Sequence, residues 1–188
     1  MLSDEIMKKL LGIAKGSINY YFRMKDVPTV EEYGEHLATF VTLTKKGELR
    51  GCIGSIEPHQ DLYKDVAVNA INAAFFDPRF PPLRESERED LEIEVSVLTP
   101  KELFKGSNDE WIRFIEEKRP GVVIDYKGFR ATFLPDVWKQ IPSPFEFMTH
   151  LSLKAGLPPN AWTMADKYFY FTQTVSDKWE NIEEAFFP

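Results

Sequence analysis

One cysteine, three histidines and a shortage of basic residues define much of what this 188-residue chain is not. A single thiol forms no intramolecular disulfide, and it accords with a reducing compartment. The metal-ligand candidates His36, Cys52, His59 and His150 show no zinc-type or two-histidine spacing, so metal binding has little support. Neither a Walker-type phosphate loop nor a GxGxxG fingerprint occurs, which excludes the common nucleotide loops. No apolar run approaches the roughly 18 residues of a membrane span, and Met1-Leu2-Ser3-Asp4-Glu5 lacks the order of a secretion signal. A soluble, cytoplasmic protein with no membrane contact is expected. With 23 Lys and Arg against 30 Asp and Glu, the net charge of -7 argues against nucleic-acid binding at physiological salt, although a local basic site stays open. Arg79, Arg84 and Arg88 are interleaved with Glu85, Glu87, Glu89 and Asp90, which reads as a solvated mixed-charge stretch rather than a phosphate-binding patch.

What is present is an ordinary globular composition, 43% hydrophobic and 14% aromatic, long enough to bury a core without staples. Ser3 with Asp4 and Glu5 predicts a helix start, and a helical apolar stripe runs to about Met24. Leu37 to Thr44, the turn Lys45-Lys46-Gly47 and Glu48 to Ile56 predict an antiparallel hairpin, with Cys52 opposite about Phe40 and Arg50 opposite about Thr42. That register keeps His36 away from Cys52. Asp61 to Phe76 predicts an amphipathic helix stopped by Asp77-Pro78-Arg79-Phe80-Pro81-Pro82, whose prolines remove donors and fix backbone angles. This segment either simply turns the chain, with Asp77 closing the helix end or pairing with Arg79, or holds both charged groups in defined directions. Leu91 to Leu98 alternates as a half-buried strand, with Glu94 on its polar face. It is a catalytic carboxylate if that face lines a cleft, and an ordinary solvated residue otherwise.

Beyond Thr99-Pro100 the elements shorten. Ser107 or Asn108 caps a helix to about Lys118, a second hairpin spans Gly121 to Leu134, and Ser143-Pro144-Phe145-Glu146 opens a helix ending at Gly156. Lys167 to Val175 is predicted as one last strand returning to the first sheet. Without regular βαβ alternation the fold class is α+β in two lobes, each a small, mostly antiparallel sheet with helices packed on it. Residues 1–99 with 166–188 form the larger lobe, and 100–165 the smaller.

The chain is organised around Leu49-Arg50-Gly51-Cys52-Ile53-Gly54. In a regular strand Arg50 and Cys52 share a face. Gly51 then marks a bulge or a close approach to the backbone. A nearby guanidinium favours thiolate, so Cys52 is a nucleophile candidate, but acyl or alkyl transfer also needs a proton shuttle and oxyanion donors, and no base is evident. The alternative is a small hydrophobe in a crowded strand beside a salt-bridged Arg50.

The hexapeptide, followed by Asp77-Pro78-Arg79-Phe80-Pro81-Pro82, Glu94-Val95-Ser96-Val97-Leu98, Phe133-Leu134-Pro135 and Lys154-Ala155-Gly156-Leu157, resembles the AMMECR family, named for the AMME chromosomal region. The match runs in order over nearly the whole chain. The resemblance implies a two-lobed α+β protein with an open cleft to which the hexapeptide contributes, and functional association with Memo-type and radical-SAM proteins. It supplies no established reaction and no cofactor. The motif positions carried over are Arg50, Gly51, Cys52, Gly54, Asp77, Arg79 and Phe80. Some members place a His-Gly pair where the second hairpin begins; here Pro120-Gly121 stands there, which weakens a mechanism using that histidine as base.

Two functions from different classes are therefore expected. One is a small enzyme whose interlobe cleft takes a polar or anionic small molecule. Arg50 and Arg79, with Gly51, Gly54 and Phe80, would bind it, Cys52 would be the nucleophile or redox-sensitive thiol, and Asp77 the orienting or basic carboxylate. The other is a non-catalytic binding or scaffold module for a nucleotide, a nucleic acid or a partner protein.

Overall fold

The computed structural model describes residues 1–185 and 187. Helix α1, Asp4–Met24, is opened by the Ser3 hydroxyl accepting from the Ile6 amide at 3.2 Å, with Asp4 and Glu5 at the positive end of the helix dipole. Strands β1 (Ala38–Lys45) and β2 (Glu48–Gly54) form the expected hairpin. Its turn residues Lys46 and Gly47 both have positive φ, 50° and 81°, the geometry that matches strand twist in two-residue turns. Helix α2 (Leu62–Phe75) is capped by Asp61, and β3 (Leu91–Leu98) pairs antiparallel with β1. The next elements are β4 (Glu102–Leu103), α3 (Asn108–Lys118), β5 (Gly121–Tyr126) and β6 (Phe129–Phe133). Then come α4 (Pro144–Lys154), β7 (Asp166–Tyr170) and β8 (Thr172–Lys178).

The fold is α+β with two four-stranded sheets, ordered β2-β1-β3-β8 and β4-β7-β5-β6. The chain divides into two compact units, Met1–Pro100 with Gln173–Pro188, and Lys101–Thr172. In the first, α1 and α2 bury their apolar stripes against one face of the sheet, with Leu10, Ile18, Leu62 and Val66 packed among Val41, Leu43, Ile93 and Val95. The opposite face carries Thr42, Cys52, Glu94 and Ser96, as period-two alternation requires. The second unit closes over Trp111, Ile115, Ile124, Phe147 and Leu151, with the Trp138 indole stacked on Phe147 at 3.7 Å.

The end of the chain departs from expectation. Instead of one strand returning to the first sheet, β7 belongs to the second sheet, pairing Phe169 with Val122, and only β8 joins the first. The break falls at Phe171. The run Tyr168-Phe169-Tyr170-Phe171-Thr172 is aromatic and β-branched with no Gly, Pro or Asn to mark a turn, so the side-chain pattern does not register the change of sheet. After β8 the chain lies along α1, where the Ala185 amide donates to the Gly12 carbonyl at 2.9 Å and the Lys15 ammonium donates to the carbonyls of Trp179 and Ile182. A Cβ at Gly12 or Gly16 would collide with the backbone of Glu183 or Ala185.

Candidate functional site

The hairpin register decides what surrounds the cysteine. Lys45 pairs with Glu48 and Thr44 with Leu49, but Leu43 then pairs with Gly51 and Thr42 with Cys52. Arg50 is thus the extra residue of a β-bulge. The expected pairings of Cys52 with Phe40 and Arg50 with Thr42 are both corrected: Phe40 faces Gly54, and Arg50 has no partner of its own in the ladder. Bulges re-aim side chains. Here the Arg50 side chain is buried, donating from Nε and Nη2 to the two carboxylate oxygens of Glu87 at 3.2 Å each and from Nη2 to the Pro81 carbonyl at 2.8 Å. Its Nη1 is buried without a partner among the described residues. Lys45 and the Arg84 amide complete the shell of Glu87. Burial opposes ionisation of Glu87, but these donors outweigh it and bring its pKa down to about 2.

Gly51 serves both readings of its place in the strand. It lies at the bulge, and the Ala73 carbonyl of α2 is so close that any Cβ at 51 would collide with it. Gly54 likewise faces the Thr39 carbonyl and the Phe40 ring. That carbonyl accepts from Asn69, which belongs with Thr39 and Gln60 to a hydrogen-bonded network around the buried Asp65 carboxylate. Both glycines of the hexapeptide are therefore notches in which neighbouring backbone sits.

Cys52 itself is half-buried. Its Sγ accepts from the Thr42 hydroxyl at 3.2 Å, and its amide donates to Asp77 Oδ2 at 3.0 Å. Asp77, 3% exposed, also accepts from the Arg79 amide and, bidentately, from Arg79 Nε at 3.0 Å and Nη2 at 2.7 Å. The guanidinium above all, against the cost of burial, holds the Asp77 carboxyl well below the usual range. A carboxylate so paired stays ionised and makes a weak proton acceptor. Arg79 Nη2 reaches the Cys52 carbonyl at 3.3 Å, and the guanidinium lies 5.4 Å over the half-buried Phe80 ring. Its side chain nevertheless stays 55% exposed.

Burial pushes the Cys52 thiol up. The Thr42 hydroxyl and the Arg79 charge pull it the other way, while Asp77 and Glu94 add to the rise. The cation acting on the thiol is Arg79, where the sequence had pointed to Arg50. Thr42 pairs with Cys52 on one side and Glu94 on the other, so thiol, hydroxyl and carboxylate form one row across three strands. Glu94 was legible as a polar-face residue; Thr42 was missed, and the correct register is the signal that finds it. His36 bridges to Asp61 and does not approach this row. No cluster of three or more metal-binding side chains occurs among the described residues. A groove of about 580 Å³ beside α1, lined by Lys8, Gly12, Asp177 and Glu183 among others, shares no lining residue with the Cys52 neighbourhood. No helix among the described residues is long and apolar enough to cross a membrane.

Comparison with known proteins covers nearly the whole chain. Protein MK0488 of Methanopyrus kandleri is 39% identical over 174 residues, 86% of this chain and 82% of its own. Protein MJ0810 of Methanocaldococcus jannaschii is 41% identical over 140 residues, covering 70% of this chain and 68% of its own. The crystal structure of uncharacterized protein PH0010 from Pyrococcus horikoshii superposes with a TM-score of 0.84 at 30% identity, over 98% of this chain and 96% of that one. The AMMECR1 family model matches residues 11–175, hexapeptide included, and the chain belongs to the AMMECR1 family.

Proposed function

We propose that the sheet face at Cys52 binds a polar small molecule bearing an anionic group, with Arg79 as the anion-holding residue and Cys52 as a neutral thiol beside it. The observation that carries this reading is Arg79 itself, locked bidentately on a buried carboxylate yet more than half exposed. A guanidinium fixed in this way has already lost its rotamer freedom, so less entropy is lost when an anion arrives. Arg50 has a different part: its guanidinium holds Glu87 inside the protein. Binding ranks ahead of covalent catalysis because burial favours the protonated thiol and Asp77 is a weak base.

A second reading, turnover on the same face, draws on the row Cys52, Thr42 and Glu94, in which a nucleophile, a hydroxyl and a carboxylate stand side by side. A panel of small carboxylates and phosphates, screened by thermal shift and titration calorimetry, tests the first reading. Ligands that stabilise the wild type and are lost with Arg79→Ala are expected; stabilisation unchanged by that substitution would sink it. Cys52→Ser separates the two readings, since binding survives it while turnover through the thiol does not.

A further inference from the structure

The C-terminal ends of α1 and α2 meet in a cluster of aromatic rings that the ligand site does not use. Tyr21 packs on Phe75 at 4.5 Å and on Phe76 at 5.8 Å, and Phe22 meets Phe75 edge-on at 5.0 Å. In a core these rings would be covered. Here Phe76 is 57% exposed and Met24 60% exposed, and Tyr21, Phe22 and Phe75 are only half-buried. Exposed apolar patches of this kind on a water-facing surface mark interaction sites.

Two cations are set directly against these rings. Lys25 lies over both the Tyr21 and Phe22 rings, at 5.6 and 5.9 Å, and Arg88 over Phe22 at 5.2 Å. Asp26 and Glu85 are their acidic neighbours in sequence. A cation-rimmed aromatic surface is thus set into a chain whose net charge is -7.

We propose that this surface docks an acidic segment of a partner protein that carries aromatic or aliphatic anchor residues. Tyr, Phe, Met and Arg are enriched where proteins meet, and aromatic and Arg side chains dominate the binding energy there. The basic rim selects an acidic partner and speeds its approach. A membrane of anionic lipid or a nucleic acid would also find rings and cations here. Both are extended polyanions, however, and meet the field of the whole acidic chain, whereas a short segment meets only the local rim. The inference does not depend on the chemistry of Cys52.

The test uses the full chain and a pool of short synthetic peptides combining Asp and Glu with Phe or Leu, followed by fluorescence anisotropy and by amide chemical-shift mapping. Saturable binding is expected, with shifts concentrated in residues 20–25, 75–76 and 88. Phe76→Ser and Lys25→Glu, both at exposed positions, should each weaken it by about tenfold or more at an unchanged thermal midpoint. The proposal is overturned if no peptide of the pool binds, or if binding survives both substitutions. It is equally overturned if phosphatidylserine vesicles or a single-stranded oligonucleotide bind with that mutational sensitivity while the peptides do not.

Discussion

Two arginine–carboxylate pairs flank Cys52, and they differ in burial. In the inner pair, Arg50 and Glu87 are 9% and 8% exposed in their side chains and sit 3.2 Å apart. In the outer pair Asp77 is as deeply buried, at 2%, but Arg79 is 55% exposed at 2.7 Å. Removing one partner from a buried pair strands a charge, so the inner pair is a structural bond between the bulged strand and the segment leading into β3. The outer pair leaves half a guanidinium in water, where a ligand can meet it. An arginine and a carboxylate thus tie two segments together on one side of the cysteine, and on the other leave a guanidinium open to water, the group proposed above to meet an anion.

The comparison breaks most visibly at Glu87. Glu87→Ala leaves Arg50 buried and uncompensated, and should cost about 3–5 kcal/mol, read as a lower urea midpoint at unchanged slope. A loss below about 1 kcal/mol would mean that Arg50 finds water and that the inner pair is no different from the outer. Acid probes the same contrast. The folded pKa of Glu87, about 2, lies below the ~4.3 of a free glutamate. Its contribution is therefore complete above pH ~4.5 and disappears as the pH falls towards about 2, by at most ~3 kcal/mol. Asp77 is shifted in the same direction and adds to the slope. Urea melts between pH 5 and pH 2 should show a shallower loss in Glu87→Gln, and equal slopes would remove Glu87 from the account.

Smaller effects sharpen the contrast. Gly51→Ala pushes a methyl into the Ala73 carbonyl and should cost about 1–3 kcal/mol in the same melts; a neutral result would show that α2 can retreat from the strand. Arg79→Ala removes the main partner of a carboxylate that is 2% exposed and should cost about 1–3 kcal/mol, less than Glu87→Ala because the guanidinium itself is partly hydrated. It should also raise the pH at which Cys52 is alkylated, since Arg79 lowers the thiol pKa. Arg50→Lys should leave that profile in place, and a shift larger than that of Arg79→Ala would return Arg50 to the site.

Much of the fold is written locally. Ser3, Ser107 and Ser143 each accept from the amide three residues on, and the helices begin where these caps predict. The Lys46-Gly47 and Lys127-Gly128 turns are equally plain, with positive φ at all four residues. The candidate site was legible only in part. A thiol near an arginine was a fair reading of the hexapeptide, but the bulge that turns Arg50 inward depends on Glu87, far along the chain, and no local pattern announces that partner. Thr42 was hidden for a related reason, because the register between Thr42 and Cys52 depends on the same bulge. The change of sheet at Phe171 was invisible because β7 and β8 read as one strand-forming run with no turn residue between them.

The first unit is assembled from both ends of the chain, with β8 beside β3 and the last described residues notched against Gly12 and Gly16. During synthesis this imposes a sequence of events. When Thr172 has left the ribosome every residue of the second unit is available, while the first still lacks its fourth strand and the segment that lies along α1. Its earliest helix therefore waits for the latest residues, and an edge of β3 stays open until they arrive. A chain stalled before β8 would expose that edge, and its tendency to aggregate would measure how much the closing strand protects.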